Sequence, residues 1–218
     1  MRKDLDAVAF DLDGTLYPNY RLYLRLVPFI IKEHRLLMAM GKARDALRAA
    51  AHEGRFHDLQ ARFMAEILRE DPERVKTKTE RLIYRGWEPF FRSIRLFGGV
   101  RETLEEFRAA GLKLGLLSDF PPEKKLEYLD IDDLWDAALC SEDTGRLKPD
   151  PAPFLELSRS LGVPCERILY VGNSVAYDVI GAKGVGMKTA LITASYRKRA
   201  QADFVFADYR QLRRYVLT

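Results

Sequence analysis

The sequence predicts an α/β protein, a parallel β-sheet flanked by helices, with an all-helical segment inserted near its start. Short apolar runs alternate with helix-period segments through the second half of the chain, the pattern of strand–helix–strand units joined by right-handed crossovers. A further apolar run stands alone near the N-terminus at residues 7–10. Between the two, from about residue 18 to 97, strand signals vanish and apolar residues recur at helical spacing.

Taken in order, Ala-Val-Ala-Phe at 7–10 reads as a buried strand running into Asp11-Leu-Asp-Gly-Thr15. Leu22, Leu26, Phe29 and Ile30, and later Leu59, Phe63 and Ile67, mark helices. Breaks between them are expected at Gly41, Gly54, Asp71-Pro72 and Gly86. A helix over 100–110 closes at Gly111. Strands follow at 112–117, 137–140, 168–171 and 189–192, with an edge strand at 204–206. Helices intervene after Pro121-Pro122, over 151–161 and over 175–183, where Gly181-Ala182 suit close packing, and a last helix ends the chain. The expected organisation is a core of residues 1–17 and 98–218 interrupted by a helical unit of residues 18–97.

Composition narrows the class of protein. With 47% hydrophobic residues the 218-residue chain is too apolar for disorder and long enough for one large domain, or one with a small insertion. Two cysteines, Cys140 and Cys165, make neither a disulfide framework nor a zinc signature. The apolar stretch 22–40 is broken by Arg25, Lys32, Glu33, His34 and Arg35, so it is no membrane span, and no signal peptide fits the N-terminus. A cytoplasmic protein is expected, as monomer or dimer. Residues 18–97 carry 17 Lys and Arg against 10 Asp and Glu, whereas the remainder carries 19 against 22. A positive insertion over a negative core suits a small anionic ligand held between them. No nucleic-acid motif appears.

The polar residues that follow the strands form a set. Asp11 and Asp13, Ser118 and Asp119, and Asn173 each come just after a proposed strand, the edge at which open parallel sheets bind ligands. Lys148 lies in a loop that can reach the same edge. Asp11 and Asp13 are two residues apart, so extended backbone sets both carboxylates on one side, with Gly14 turning the chain away. Two carboxylates so close repel unless a cation or a shared proton intervenes, and Mg²⁺ prefers such oxygen ligands. One carboxylate can then attack an electrophile while the other moves protons. Lys148 can neutralise charge on the nucleophile and the transferring group.

Asp11-Leu-Asp-Gly-Thr-Leu16, Ser118, Leu147-Lys-Pro-Asp-Pro151 and the stretch Val171-Gly-Asn-Ser to Asp178-Val-Ile-Gly-Ala182 resemble, in order, the four motifs of the haloacid dehalogenase superfamily. The resemblance implies a Rossmann-like core with a helical cap inserted after the first motif. It implies a Mg²⁺-dependent phosphatase acting on a small phosphorylated metabolite through an aspartyl-phosphate. In that reading Asp11 is the nucleophile, Asp13 the general acid and base, and Lys148 the charge-stabilising lysine. Thr15, Ser118 and Asp119 lie at substrate-binding positions, and Asp11, Asp13, Asn173 and Asp178 form the metal site. Asp13 favours phosphoryl transfer over carbon–halogen cleavage, because the dehalogenases lack an acid there. A phosphomutase, or a non-catalytic binding protein of the same fold, is the alternative.

Two positions depart from the family pattern. Asn173 stands where an Asp is usual, and Asp119 where an Asn is usual. The first is expected to weaken Mg²⁺ binding and shift weight to Asp178, and the second to be paired or turned from the phosphate. Tyr17 and Tyr20, just past the nucleophile loop, are the expected substrate contacts from the insertion, with Arg21 or Arg25 next. The three histidines are all in the insertion, without metal-ligand spacing.

Overall fold

The structure is a computed structural model that describes residues 4–49, 55–194 and 201–218. Strand β1, Ala7–Phe10, lies inside the sheet: it pairs in parallel with β2, Lys113–Ser118, on one side and β4, Ile168–Gly172, on the other. With β3 (Ala137–Cys140), β5 (Lys188–Ile192) and β6 (Phe204–Phe206) they make a six-stranded sheet in the order β3-β2-β1-β4-β5-β6, with every pairing parallel. The expected 204–206 strand is indeed an edge. Register sets Phe10 beside Leu116 and Val171, so the three central strands end side by side.

Alternation along β1 divides the core. Val8 and Phe10 face one apolar layer with Leu114, Leu116, Leu169 and Val171, covered by α6 (Val100–Ala109) and α10 (Tyr209–Leu217). Ala7 and Ala9 face the other, against Phe154, Leu157 and Leu161 of α8 (Pro151–Leu161). Small residues on that face let α8 lie close to the sheet. Each fully buried Leu or Phe contributes about 1.5–3 kcal/mol relative to exposure.

Between β1 and α6 the described elements are all helical: α1 (Asn19–Lys32), α2 (His34–Ala49), α3 (Phe56–Leu68), α4 (Pro72–Thr79), a π-turn at Glu80–Tyr84 and the short α5 (Glu88–Phe91). Helices α2 to α4 share an apolar cluster of their own, including Leu36, Met40, Met64, Leu68 and Val75, while Leu22 and Leu26 of α1 pack into the core layer. The expected break at Asp71-Pro72 is present: Asp71 caps α4 through the Arg74 N–H at 3.0 Å, with Pro72 its first residue. Gly41 is not a break. It lies inside α2, since one glycine costs a helix only about 1 kcal/mol and the flanking Met40 and Ala43 are buried. The break falls earlier, at Glu33. Gly54 and His52 lie outside the described residues.

The expected 175–183 helix differs in its first turn. Residues Val175–Val179 wind as a π-turn, with Val179 N–H on Ser174 O at 3.1 Å, before α9, Ile180–Gly184. Such turns are frequent where a side chain must be re-aimed, and this one carries the buried Asp178.

Gly181 tests the packing of this layer. A Cβ there would meet the buried Phe154 ring at 2.4 Å and Pro149 Cα at 3.1 Å. Gly181→Ala is expected to destabilise the protein by about 1–3 kcal/mol, read as a lower denaturation midpoint; an unchanged midpoint would mean that α8 and α9 can separate freely.

Candidate active site

Asp11 continues β1 by one residue, its N–H on Val171 O at 2.9 Å. One carboxylate oxygen, Oδ2, accepts the Thr15 hydroxyl at 2.7 Å; the other, Oδ1, accepts Lys148 Nζ at 2.7 Å. Thr15 is itself fixed, because the Tyr209 hydroxyl donates to its carbonyl at 2.7 Å. The Lys148 ammonium is buried and also donates to Asp178 Oδ1 at 2.8 Å, with Leu117 O and Tyr170 Oη at 3.3 Å. Asp178 turns its second oxygen to the N–H groups of Asn173 and Ser174, at 3.1 and 2.9 Å. Lysine, nucleophile candidate and loop 173–174 are thus one hydrogen-bonded unit.

The electrostatics follow from burial. Asp11 is pushed up to about 7 by loss of water; Lys148 opposes that shift, while Asp178 and Asp13 add to it. Burial works against the charge of Lys148, yet the Asp11 and Asp178 carboxylates hold it well above the usual lysine range.

Asp13 faces elsewhere. Both its oxygens accept Lys125 Nζ, each at 2.7 Å, and Oδ1 also accepts the Tyr17 hydroxyl. Its backbone carbonyl accepts the Asn173 side-chain amide at 3.0 Å. This approach needs Gly14, whose φ is +86° and where a Cβ would stand 2.0 Å from Asn173 Nδ2.

These contacts allow a test of fit for a divalent metal. Asp11 offers a carboxylate oxygen, and the Asp13 carbonyl and the Asn173 amide already face each other across the loop. A half-turn of that amide presents its oxygen instead of its nitrogen. The donors are hard oxygens and suit Mg²⁺. Asp178, expected in this set, has both oxygens engaged by Lys148 and backbone N–H groups. Among the described residues no three acidic, His or Cys side chains gather as a metal cluster. The set that fits is therefore one carboxylate with neutral oxygens.

The remaining expected residues fall as follows. Ser118 is buried at the end of β2 and its Oγ accepts the Phe120 N–H at 3.2 Å. Asp119 is paired rather than free for substrate: Oδ2 accepts Arg48 at 2.7 Å and Oδ1 the Lys148 N–H at 3.2 Å. Tyr17 is fully buried and spends its hydroxyl on Asp13, so it supports the site from beneath. Tyr20 is 58% exposed and contacts Arg21, on the side of α1 opposite the buried Leu22 and Leu26. Arg21 and Arg25 are likewise exposed.

Sequence reasoning missed Lys125, Arg44, Arg48, Tyr84 and Glu142. Arg44 Nη2 donates to Asp119 O at 2.7 Å, and its other nitrogen bonds Glu142, which also accepts the Tyr84 hydroxyl at 2.9 Å. Arg48 Nε donates to Lys148 O at 3.0 Å. The insertion is therefore tied to the loops after β2 and β3 through two arginines. One signal could have found Lys125: it lies in α7 (Glu123–Leu129), the helix that starts directly after the β2 loop and so begins at the mouth.

Beside Asp13 lies a cavity of about 150 Å³, between Asn19 and Tyr23 of α1, Trp87, Phe91, Phe120 and Lys125. A cleft of about 690 Å³ lies within the insertion, around Gln60, Lys76 and Arg85, and touches none of the strand-end residues.

Residues 5–186 match the model of the haloacid dehalogenase-like hydrolases. A glyceraldehyde 3-phosphate phosphatase of Pyrococcus furiosus is 32% identical over 131 residues, 59% of this chain and 52% of that one, so this match spans about half the relative's length. A phosphoglycolate phosphatase of Haemophilus influenzae is 28% identical over 228 residues, 97% of this chain and 98% of that one. The crystal structure of a HAD phosphatase from Thermococcus onnurineus superposes with a TM-score of 0.72 at 25% identity, covering 97% and 98% of the two chains.

Asp119 gives a pH-dependent test. Burial raises its pKa, but Lys148, Arg44 and Arg48 outweigh that and hold it below the usual carboxylate range. Its contribution to stability is therefore present above the unfolded value near 4 and is lost as pH falls through the lower folded value. Asp119→Asn, which leaves Arg48 only the exposed Asp45 carboxylate, is expected to cost about 2 kcal/mol at pH 7. The gap between variant and wild type should narrow as denaturation is measured from pH 6 down to pH 3. A gap independent of pH would show that the ion pair does not stabilise the fold.

Proposed function

The chain belongs to the family of haloacid dehalogenase-like hydrolases, and within it we propose that it removes phosphate from a small phosphorylated metabolite. The observation that carries this is the placing of two carboxylates in separate settings just past the end of β1. Asp11 is pinned by Thr15 and Lys148 with its carboxylate at the mouth, and Asp13 faces the cavity where a leaving group would sit.

In the proposed reaction an Asp11 oxygen attacks phosphorus as the bond to the alcohol oxygen breaks, leaving the phosphoryl group on Asp11 as an acyl phosphate. Asp13, in its acid form, gives the departing alkoxide a proton. As carboxylate it then takes a proton from water, whose oxygen attacks phosphorus and frees Asp11 and inorganic phosphate. Lys148 keeps a positive charge beside Asp11 throughout. Lys125 and Tyr17 hold the Asp13 carboxylate toward the cavity between turnovers. Asp11, the Asp13 carbonyl and Asn173 would hold Mg²⁺, which when bound offsets the negative charge of the phosphate. Asp178 acts as a positioning residue for Lys148. Residues 18–97 are the proposed cap, and the two free cysteines suit a cytoplasmic setting. Among the described residues no helix is long and apolar enough to cross a membrane.

Hydrolysis of p-nitrophenyl phosphate with and without Mg²⁺ tests the reading. Asp11→Asn is expected to lower kcat by several orders of magnitude, and retained activity would show that another group is the nucleophile. Asn173→Asp adds a carboxylate to the metal set. It should lower the Mg²⁺ concentration for half activity, and raise the melting temperature in Mg²⁺ relative to EDTA by more than in the wild type. No change in either would mean that Asn173 is not a metal ligand.

A further inference from the structure

Lys148 reaches the mouth from a loop that rests partly on the insertion. Leu147, the residue before it, is buried in a small apolar cluster with Leu47 and Phe56. The backbone of Lys148 is bracketed on both sides: its N–H donates to Asp119 Oδ1 at 3.2 Å, and its carbonyl accepts Arg48 Nε at 3.0 Å. Arg48 Nη2 donates in turn to the second Asp119 oxygen at 2.7 Å, so Lys148, Asp119 and Arg48 close a ring of hydrogen bonds. Little of either side chain is exposed, 16% of Arg48 and 15% of Asp119. The Arg48 guanidinium also lies over the Tyr177 ring, 4.5 Å from its centre, and Tyr177 precedes the Asp178 that holds Lys148 Nζ. Arg48 thus touches the segments after β2, β3 and β4 at once.

The ring also accounts for Asp119, which stands where the family pattern has Asn. Two donors, the Arg48 guanidinium and the Lys148 N–H, meet its two oxygens. An amide has one oxygen and one NH₂ group, so Asn would set its own donor against one of them. A carboxylate accepts both.

We propose that Arg48 and Asp119 are positioning residues for Lys148: the ring they close fixes the backbone from which the lysine meets Asp11. The proposal rests on the phosphatase reading above. Lys148 Nζ already spends its donors on Asp11, Asp178 and Leu117 O, so it has no spare contact with which to correct a shifted backbone. A displaced loop lengthens the contact from Nζ to Asp11, the one that offsets charge at the nucleophile. Misplacement of this kind costs rate even when its origin is remote from the reacting atoms. The fork of a guanidinium is required, because it donates to the Lys148 carbonyl and the Asp119 carboxylate together. A lysine ammonium at 48 would be a single point charge and could keep only the ion pair.

The test measures kcat and KM for p-nitrophenyl phosphate in Mg²⁺, together with the melting temperature, for Arg48→Ala, Arg48→Lys, Asp119→Asn and the double variant Arg48→Ala/Asp119→Asn. All rates are taken well below the melting temperature of each protein. Arg48→Ala is expected to lower kcat by about tenfold with KM changed by less than about twofold. Arg48→Lys should recover most of the melting temperature that Arg48→Ala loses, but little of the kcat. Asp119→Asn should lower kcat about as far as Arg48→Ala, and the double variant no further than either, because all three open the same ring. Should Arg48→Ala fail to fold, Arg48→Lys and Asp119→Asn still decide. The assignment is overturned, with the phosphatase reading intact, by any of three results. One is a kcat at the wild-type level in the Arg48 variants. Another is a raised KM with kcat unchanged, which would place Arg48 on the substrate. The third is losses that multiply in the double variant. If the wild type turns over neither p-nitrophenyl phosphate nor 2-phosphoglycolate nor glyceraldehyde 3-phosphate, the phosphatase reading falls and this assignment falls with it.

Discussion

The Lys148 ammonium is the group on which the rest of the site depends. It is buried at the strand ends, where a charge without partners would be expelled. It is tolerated because its donors are met by Asp11 and Asp178, with Leu117 O and Tyr170 Oη nearby. Those partners come from four places in the chain, so the ion pairs form only when β1, β2 and β4 lie side by side and the turn after β4 is wound to aim Asp178. Removing one member would leave an uncompensated buried charge, the costly case for an ionic group in a protein interior. The same contacts fix the nucleophile candidate and tie loop 173–174 to the lysine, so fold and site are a single constraint.

A second layer of charge joins the insertion to the core. The basic excess of residues 18–97 divides by position. Most of its arginines are solvated, but Arg44 and Arg48 turn inward onto Asp119, Glu142 and the Lys148 carbonyl. This resolves the two departures from the family pattern separately. Asp119 is neutralised from the insertion by Arg48 and is not compensated by Asn173, which lies on the far side of β1 in the sheet order. Asp119 thereby anchors the helical insertion to the loop after β2.

What the sequence disclosed follows the range of the interactions. Strands, their order along the chain and the polar residues at their ends were legible because each is written in a few adjacent residues. Asp11 with Asp13, and Gly181 with Ala182, are such local signals. Lys125, Arg44 and Arg48 were not legible, because their partners Asp13 and Asp119 are distant in the chain and an inward arginine on a basic helix looks like its solvated neighbours. Tyr17 and Tyr20 misled for the opposite reason. Nearness in sequence to the nucleophile loop suggested substrate contact, but one is buried beneath Asp13 and the other sits on the solvent side of α1, while Tyr23 reaches the cavity. The π-turn at 175–179 carries no periodic signal distinct from an α-helix, so its re-aiming of Asp178 toward Lys148 could be seen only in three dimensions.

Charge balance at the mouth links these points. Asp11, Asp13 and Asp178 face Lys125 and Lys148, leaving these five groups one net negative charge. An aspartate at 173 would add a second, directly beside the Asp13 carbonyl. Asn173 removes that charge at the point where a cation would sit, which weakens the pull on the cation but also lessens the repulsion of a phosphate dianion arriving without one. Lys125 offsets the charge of Asp13 in the same way, through both carboxylate oxygens. Both residues act in one direction. They lower the negative potential around Asp11 at this edge of the sheet, which eases the approach of an anion such as the phosphate of the proposed reaction.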